Sequence, residues 1–472
     1  MRKAALPGTI FVGLSSFQAL AMFRRGIFYT FLGVYLRGYL GLSVTETTLF
    51  ETIPMLLNIL FQTFVWGRLT DRLQLRRSLI VAGEILASLG HLLMWYFHSI
   101  CAEPRASGWV IIGGLSVIEI FWSMSNIGWS ALISDVYEPA ERNAVQGKLA
   151  SVGGAGRILG ALAGGALYDG MGRAFAGWGY KEGGIFFVAA AAMLVSVVPL
   201  LFMPEGGVGF RAKAGGPAEA SAPAAPATPA TPAAPAPRAK GGDLRSFAIF
   251  LAAMLLINCG VNSLGAFRAQ YLDLADGFAA TARQISLVAN TESAALILAG
   301  FFLGRLGRRF GIPALLTAGT LCGIVSILGH ALAPSLGFVY AAAALKGLSD
   351  GSIAASSYAF ASVLIPPEKR GRYFAAYNAA FLLSWGLSAT LVTGPLIDAL
   401  IGAGRAPFFA YRAGLLSSVL IMLLGLALLA VLLLARGGRG GGIGGRGRRA
   451  DPSPPGGGPS AIPIKTAATR RR

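Results

Sequence analysis

The chain has 472 residues, of which 54% are hydrophobic and only 13% are charged, whereas soluble domains carry about 25% charged residues. The apolar residues are gathered in runs of about 20, the length that crosses a lipid bilayer, so the composition excludes a soluble globular protein. The formal net charge is +19, but the basic residues lie in short gaps between apolar runs and in the C-terminal tail. That distribution is typical of membrane loops and does not indicate a nucleic-acid-binding surface.

Twelve apolar runs are predicted to span the membrane, each bounded by charged residues or by Gly and Pro. The first six cover residues 9–36, 47–67, 78–97, 109–134, 147–167 and 184–203. The second six cover residues 246–270, 284–303, 313–333, 336–361, 373–397 and 408–435.

The two sets of spans define the expected domains. An N-terminal six-helix bundle is predicted over residues 1–205 and a C-terminal bundle over residues 244–435. Between them, residues 206–243 are rich in Ala, Pro and Thr, a composition that predicts a disordered linker. Residues 436–472 are rich in Gly, Pro and Arg and are predicted to form a disordered basic tail that contacts anionic lipid.

The short loops predict the orientation in the membrane. The N-terminus and the loops on its side hold fourteen Lys and Arg, against eight on the opposite side. Since basic loop residues are retained in the cytoplasm, both termini, the linker and the tail are expected there, in a protein of the cell's inner membrane.

Enzyme motifs are not supported by their context. Residues 347–351 match the hydrolase pattern G-x-S-x-G, but they lie within an apolar helix that no strand precedes. The three histidines, His91, His98 and His330, are not spaced as metal ligands. We therefore expect no enzymatic activity, no metal and no cofactor.

A repeated motif links the two sets of spans. Residues 67–77, after span 2, read GRLTDRLQLRR, and residues 304–311, after span 8, read GRLGRRFG. The two segments occupy the same position in each half, as expected of a duplicated six-span unit.

These segments resemble the signature of the major facilitator superfamily, G-x-x-x-D-R-x-G-R-R, which has a degenerate second copy. Gln74 replaces a signature glycine, and Arg308 replaces the second aspartate. The resemblance implies an all-α fold with twelve transmembrane helices in two bundles around a central site. It also implies a cytoplasmic gate, whereas ordinary basic loop charge is the alternative. The gate residues would be Gly67, Asp71, Arg72, Gly304, Arg308 and Arg309.

Five of the glycines in span 5 stand at successive intervals of nine, four, four and one residues. Their spacing resembles the fifth-helix motif of the family's drug/proton antiporters, with Ala161 in place of the proline. The resemblance favours efflux, and ordinary packing of small residues in a membrane helix is an equal alternative. The glycines are Gly147, Gly156, Gly160, Gly164 and Gly165.

Polar side chains within the spans form the candidate substrate site, because an ionised group in the bilayer needs a partner or a wet cavity. In the family arrangement, spans 1, 4, 7 and 10 surround the central cavity. The substrate-binding residues would then be Arg24, Arg25, Glu119, Trp122, Asn126, Asn258, Asn262, Lys346 and Asp350.

Alternatives exist for several of these residues. Arg24 and Arg25 are about 100° apart on a helix, so only one can face the cavity. Lys346 and Asp350 are four residues apart and could neutralise each other. The two asparagines of span 7 could be interhelical hydrogen-bonding groups, and Glu119 could be a structural residue.

Glu292 is the first proton-coupling candidate and Glu119 the second. Glu292 lies near the middle of span 8 with no local partner in sequence, and burial favours the protonated form of an isolated carboxyl.

Together these features predict a monomeric secondary transporter that exports a small organic solute in exchange for protons. A proton-linked importer of a sugar or carboxylate has the same fold and is the first alternative. A membrane receptor or scaffold without transport is the second, favoured if the charges within the membrane are mutually paired.

Overall fold

A computed structural model of the chain describes residues 7–137, 139–207, 244–365 and 370–437. Helices and turns account for the structure of these residues, and no strand occurs among them. Most of the predicted linker 206–243 and of the predicted tail 436–472 lies outside the described residues.

The helices of the N-terminal half follow the six predicted spans. They are α1 Pro7–Tyr29, α2 Val44–Leu73, α3 Arg76–Ile100, α4 Pro104–Val136, α5 Pro139–Tyr168 and α6 Gly184–Leu201.

The C-terminal half repeats this arrangement. Its helices are α7 Leu244–Asp273, α8 Ala282–Phe310, α9 Ile312–Leu332, α10 Leu336–Leu364, the two-part α11 Arg370–Leu383 and Ala389–Gly402, and α12 Pro407–Gly437.

Eight of these helices are long and apolar enough to cross a bilayer on those criteria alone. The other four are α1, α5, α10 and α11. Three of them carry charged residues within the helix: Arg24 lies in α1, Arg157 in α5 and Lys346 in α10. α11 is divided by a turn before Ala389. The predicted all-helical, twelve-helix fold is confirmed.

The two halves pack internally in matching ways. In the first half, α3 packs against α4 and α6, and α1 against α6; in the second half, α9 packs against α10 and α12, and α7 against α12. Most contacts between the halves come from α2 with α11 and from α5 with α8, and α7 adds contacts to α2. We call the side on which α1 begins and α12 ends the terminal face, and the other side the opposite face.

Glycines of α5 allow α1 to approach very closely. A Cβ at Gly156 would overlap the carbonyl oxygen of Ala19, and one at Gly160 would overlap that of Phe23. Gly164 lies against Ile27 in the same way, while Gly165 faces Ser286 of α8 in the other half. Gly147 has no atom within 4 Å of its Cβ position.

Gly160→Ala is expected to lower the free energy of unfolding by about 1–3 kcal/mol, because the added methyl group forces α1 and α5 apart. Gly147→Ala provides the matched control, since its Cβ would meet nothing within 4 Å. The check is the thermal unfolding midpoint of both purified variants in detergent. Equal midpoints for the two variants would contradict the packing explanation.

In the loop between α2 and α3, Gln74 stands where the resembled signature has a glycine, and its backbone has a conformation that glycine adopts most easily. Gln74 has φ of 54°, in the left-handed region that favours glycine. Its side chain compensates by donating to the carbonyl oxygen of Asp71 at 2.6 Å and accepting from Arg76 at 3.2 Å. Arg76 also pairs with Asp135 of α4 at 3.2 Å, so this loop is fastened to its own half.

Candidate functional site

A cavity of about 900 Å³ lies between the two halves, within the range of about 300–1,000 Å³ that suits drug-sized ligands. It reaches from Phe17 and Lys148, in the terminal-face half of α1 and α5, past Arg157 near the middle of α5, to Arg268 close to the opposite-face end of α7. Residues of α8 close to the terminal face, including Arg305 and Arg308, also line it. The cavity is therefore accessible from the terminal face.

The opposite face is closed by an acid of α11 placed at the start of α2. The Asp398 carboxylate accepts hydrogen bonds from the backbone N–H groups of Val44 and Thr45 at 2.9 and 2.8 Å, and from the Thr45 hydroxyl at 2.6 Å. Arg37 lies 3.9 Å away. Because a helix N-terminus attracts negative charge, this C-terminal-half carboxylate caps a helix of the N-terminal half.

Hydroxyl and amide groups continue this closure towards the cavity. Thr390 of α11 is hydrogen-bonded to Thr48 at 2.8 Å and to Thr52 at 2.7 Å. Gln270 of α7 donates to the Thr47 hydroxyl at 2.9 Å. The closed face is thus held by polar contacts between the halves, which can be exchanged for water when they separate.

Arg25 is the arginine of α1 that lines the cavity. Its guanidinium lies 5.3 Å from the ring centroid of Trp122 in α4 and 5.2 Å from that of Trp385, which follows the first part of α11. Tyr29 provides a third ring at 5.7 Å. Arg25 therefore contacts aromatic rings from both halves. Arg24, in contrast, is buried at 1% exposure and is absent from the cavity wall.

Glu119 lies behind the cavity wall and not on it. Its side chain is 2% exposed and accepts a hydrogen bond of 2.7 Å from the Asn58 amide of α2. Asn58, Trp122 and Asn126 line the cavity, and Glu119 does not. The prediction that Glu119 contacts substrate is corrected by this geometry, because α2 covers that side of α4.

Glu292 has a partner that its local sequence does not reveal. It lines the cavity and forms an ion pair with Arg268 of α7, and both side chains are about nine-tenths buried. The absence of a partner near Glu292 in the sequence therefore does not leave it unpaired, because the partner comes from another helix. α7 extends to Asp273 and carries Arg268 within the bundle.

Lys346 and Asp350 line the cavity and pair with each other, with Nζ 2.8 and 2.7 Å from the two carboxylate oxygens. This is the neutralising arrangement that their spacing allowed. The asparagines of α7 also line the cavity: Asn258 donates to the Met254 carbonyl at 2.7 Å, and Asn262 to the Ser384 hydroxyl at 3.0 Å.

The predicted gate residues lie at the terminal face. Gly304 and Arg308 line the mouth of the cavity, and Arg309 lies over the ring of Phe310. Asp71 and Arg72 are exposed at the end of α2 near Gly67. Among the described side chains, neither Asp71 nor Arg72 forms an ion pair across the two halves.

The sequence-based site gives no role to five charged residues of the cavity wall, namely Glu51, Lys148, Arg157, Arg268 and Arg305. Glu51 of α2 and Arg157 of α5 both line the cavity. Within the described part of the chain, neither side chain has a hydrogen bond or an ion pair. An acid inside predicted span 2 was a detectable signal for Glu51, whereas only the packing of α5 shows where Arg157 points.

Solved structures share this architecture. A bacterial homologue of the human lysosomal transporter Spinster, in an inward-facing and unoccupied conformation, matches with a TM-score of 0.64 and 15% identity over 92% of this chain and 98% of that chain. The nucleoside transporter NupG matches with a TM-score of 0.62 and 13% identity over 89% and 98% of the two chains. At these identities the likeness concerns the fold.

A curated relative adds a local sequence match. The major facilitator superfamily multidrug transporter mfsC of Aspergillus fumigatus (strain ATCC MYA-4609 / CBS 101355 / FGSC A1100 / Af293) is 30% identical over 152 residues. The match covers 30% of this chain and 29% of that protein, so it spans less than a third of the relative's length.

The family model for the Major Facilitator Superfamily matches residues 14–273 and again residues 250–470, one match for each half. The duplicated six-helix units, the cavity between them and this double match agree. The chain is an integral membrane protein and a transporter, not an enzyme; it belongs to the major facilitator superfamily.

Proposed function

We propose that this protein is a secondary active transporter that exports a small organic solute in exchange for protons, by alternating access. The observation that carries the proposal is the cavity between the halves, which is accessible from the terminal face and closed by hydrogen bonds at the opposite face. Rocking the two halves about this cavity would expose the same lining residues to either side in turn.

The loop charges supply the expected orientation. If the terminal face is cytoplasmic, as the excess of basic loop residues indicates, the cavity of this conformation opens to the cytoplasm. Asp71, Arg72 and the second-copy arginines would then form the cytoplasmic gate only after the terminal face closes. That expectation is consistent with the exposure of Asp71 and Arg72 in a conformation open on that side.

Glu51 is our first candidate for the proton-carrying group. A coupling carboxyl must be reachable from water and free to change its charge. Glu51 lines the cavity and, among the described residues, has no hydrogen-bonding or ion-pairing partner. Glu292 is held by Arg268, and Glu119 is covered by Asn58, so both are less free to exchange a proton.

Two observations support export. The multidrug transporter of Aspergillus fumigatus is similar over part of the chain, and α5 carries glycines in a pattern resembling that of the drug/proton antiporters. A proton-linked importer of a carboxylate is the second candidate, favoured by the basic side chains of the cavity wall. The receptor or scaffold alternative is not proposed, because the paired charges line a cavity large enough for a ligand.

Direction can be tested with everted and right-side-out membrane vesicles under an imposed pH gradient. The probes would be a panel of radiolabelled aromatic acids, aromatic amines and nucleosides, compared with vesicles that lack the protein. Uptake into everted vesicles that is driven by an outward proton gradient, with protons leaving as the probe enters, would support export. Uptake into right-side-out vesicles that is driven by an inward proton gradient would support import. No gradient-dependent movement of any probe would refute both.

Glu51→Gln is expected to reduce proton-driven flux of the transported probe by at least about tenfold, while gradient-free exchange of that probe continues. The reason is that glutamine keeps the shape and hydrogen-bonding ability of the side chain but cannot carry the proton. Glu119→Gln and Glu292→Gln are the matched variants, with smaller expected effects on coupling. Unchanged proton-driven flux in Glu51→Gln would refute this assignment.

A further inference from the structure

The charges of the cavity wall are unbalanced. Seven basic and three acidic side chains line it. Three of the basic groups, Lys148, Arg305 and Arg308, lie towards the mouth. The deeper part holds the other four basic groups and all three acids.

Two of the deep basic groups form close ion pairs and two do not. Arg268 pairs with Glu292, and Lys346 pairs with Asp350. Arg25 and Arg157 have no acidic partner within 4 Å and donate no hydrogen bond to any residue in the described ranges. Glu51 is the remaining acid of the wall, so the two free guanidinium groups leave an excess of one positive charge, or two when Glu51 is protonated.

The surroundings of Arg25 orient its guanidinium for binding an anion. The group lies 5.3 Å from the ring centroid of Trp122 and 5.2 Å from that of Trp385. A guanidinium that contacts aromatic rings through its face keeps the N–H donors at its edges available. Those donors match the two oxygens of a carboxylate, sulfonate or phosphate.

The rest of the wall suits the body of an organic ligand. Phe50, Met55 and Phe381 supply apolar contacts, and Asn126 supplies an amide with no partner among the residues that the structure describes. The volume of about 900 Å³ leaves room for a group of several rings. Flat apolar groups can pack on the parts of these two indoles that Arg25 leaves uncovered.

We infer that the ligand of this cavity is an organic anion with a flat apolar body, whose anionic group binds Arg25 and Arg157 while its body lies against Trp122 and Trp385. This inference rests on the proposed function for its site, and it names the class of the transported solute. It excludes the organic cations that an acid-lined cavity would select.

The test uses the purified full-length protein in detergent, with no gradient, and three probes of the same shape. Naphthoate, naphthamide and naphthylmethylammonium differ in charge but share one ring system. Isothermal titration is expected to show that naphthoate binds at least about tenfold more tightly than naphthamide, because an ionised acceptor strengthens the hydrogen bonds to arginine. Binding of the ammonium probe should be weaker still.

Two variants locate the anion. Arg25→Gln and Arg157→Gln should each weaken naphthoate binding by about tenfold or more and leave naphthamide binding unchanged, which also reports that the variant is folded. Arg25→Lys should recover part of the loss, because lysine keeps the charge without the planar donor edge. Arg105→Gln removes one positive charge from a residue that does not line the cavity and should leave naphthoate binding unchanged.

Equal or tighter binding of naphthamide or of the ammonium probe would overturn the inference. So would naphthoate binding that is unaffected in both arginine variants. These results are separable from failure of the proposed function: charge-selective binding without gradient-driven flux would refute proton-driven transport alone, whereas gradient-driven flux of aromatic amines would refute the anion inference alone.

Discussion

Replacing Arg268 with glutamine is expected to lower the free energy of unfolding by about 3 kcal/mol, because Glu292 would remain in the protein interior without its partner. Both side chains of this ion pair are largely buried, at 11% and 12% exposure. Arg268 comes from α7 and Glu292 from α8, so the pair joins two helices of the C-terminal half. The thermal unfolding midpoint of the purified variant in detergent measures the effect.

Two further variants distinguish a lost pair from general damage. The double variant Arg268→Gln/Glu292→Gln should recover most of the stability, because neither charge is then left unpaired. Arg105→Gln breaks an ion pair with Glu46 in which Arg105 is 60% exposed, and exposed pairs contribute only about 0–1 kcal/mol. An equal loss in Arg105→Gln, or no recovery in the double variant, would contradict the prediction.

Asp398→Ala is expected to shift the protein at least about tenfold towards conformations in which the opposite face is open. The substitution removes three hydrogen bonds to a carboxylate that is 27% exposed, and hydrogen bonds to charged groups contribute about 1.5–3 kcal/mol each in protected sites. A loss of only 1.4 kcal/mol changes a two-state ratio tenfold. These contacts join the two halves, so their loss acts on the conformational equilibrium more than on either bundle.

The fraction of molecules with an open opposite face can be measured from the distance between spin labels at positions 103 and 405, in a protein whose three cysteines are replaced by serine. Glu103 and Arg405 are exposed residues on the opposite face, one in each half. Asp276→Ala is the matched control, because Asp276 accepts a 2.9 Å bond from the Phe408 N–H within the C-terminal half. A distance distribution that changes equally in both variants, or in neither, would refute the role of Asp398 in closing the opposite face.

Much of the fold follows from hydropathy alone. A run of about 20 apolar residues must form a helix in a bilayer, since every backbone polar group needs an internal hydrogen bond there. The number and approximate positions of the twelve spans, the repeat at residues 67–77 and 304–311, and the fold of two six-helix units could therefore be predicted without a structure. The exact ends could not: α5 begins at Pro139 where residue 147 was expected, and α8 continues to Phe310 beyond residue 303. The close fit of Gly156 and Gly160 against α1 is also consistent with the spacing of small residues in span 5.

The composition of a span does not reveal its rotation or its neighbours, and the details of the site depend on both. Arg24 and Arg25 are adjacent in sequence, yet one is buried and the other lines the cavity because α1 turns by about 100° between them.

The role of each charged residue was predicted from the sequence of its own helix, whereas its bonding partner lies on a different helix. Glu119 meets Asn58 of α2, Glu292 meets Arg268 of α7, and Asp398 meets the first turn of α2 from the other half of the chain. The amino-acid sequence by itself therefore determined that this protein crosses a membrane as two related bundles. Only the tertiary structure decided which charged groups are paired and which remain open to a ligand, because the energy of a charge in a membrane depends on the atoms that surround it and not on its position along a helix.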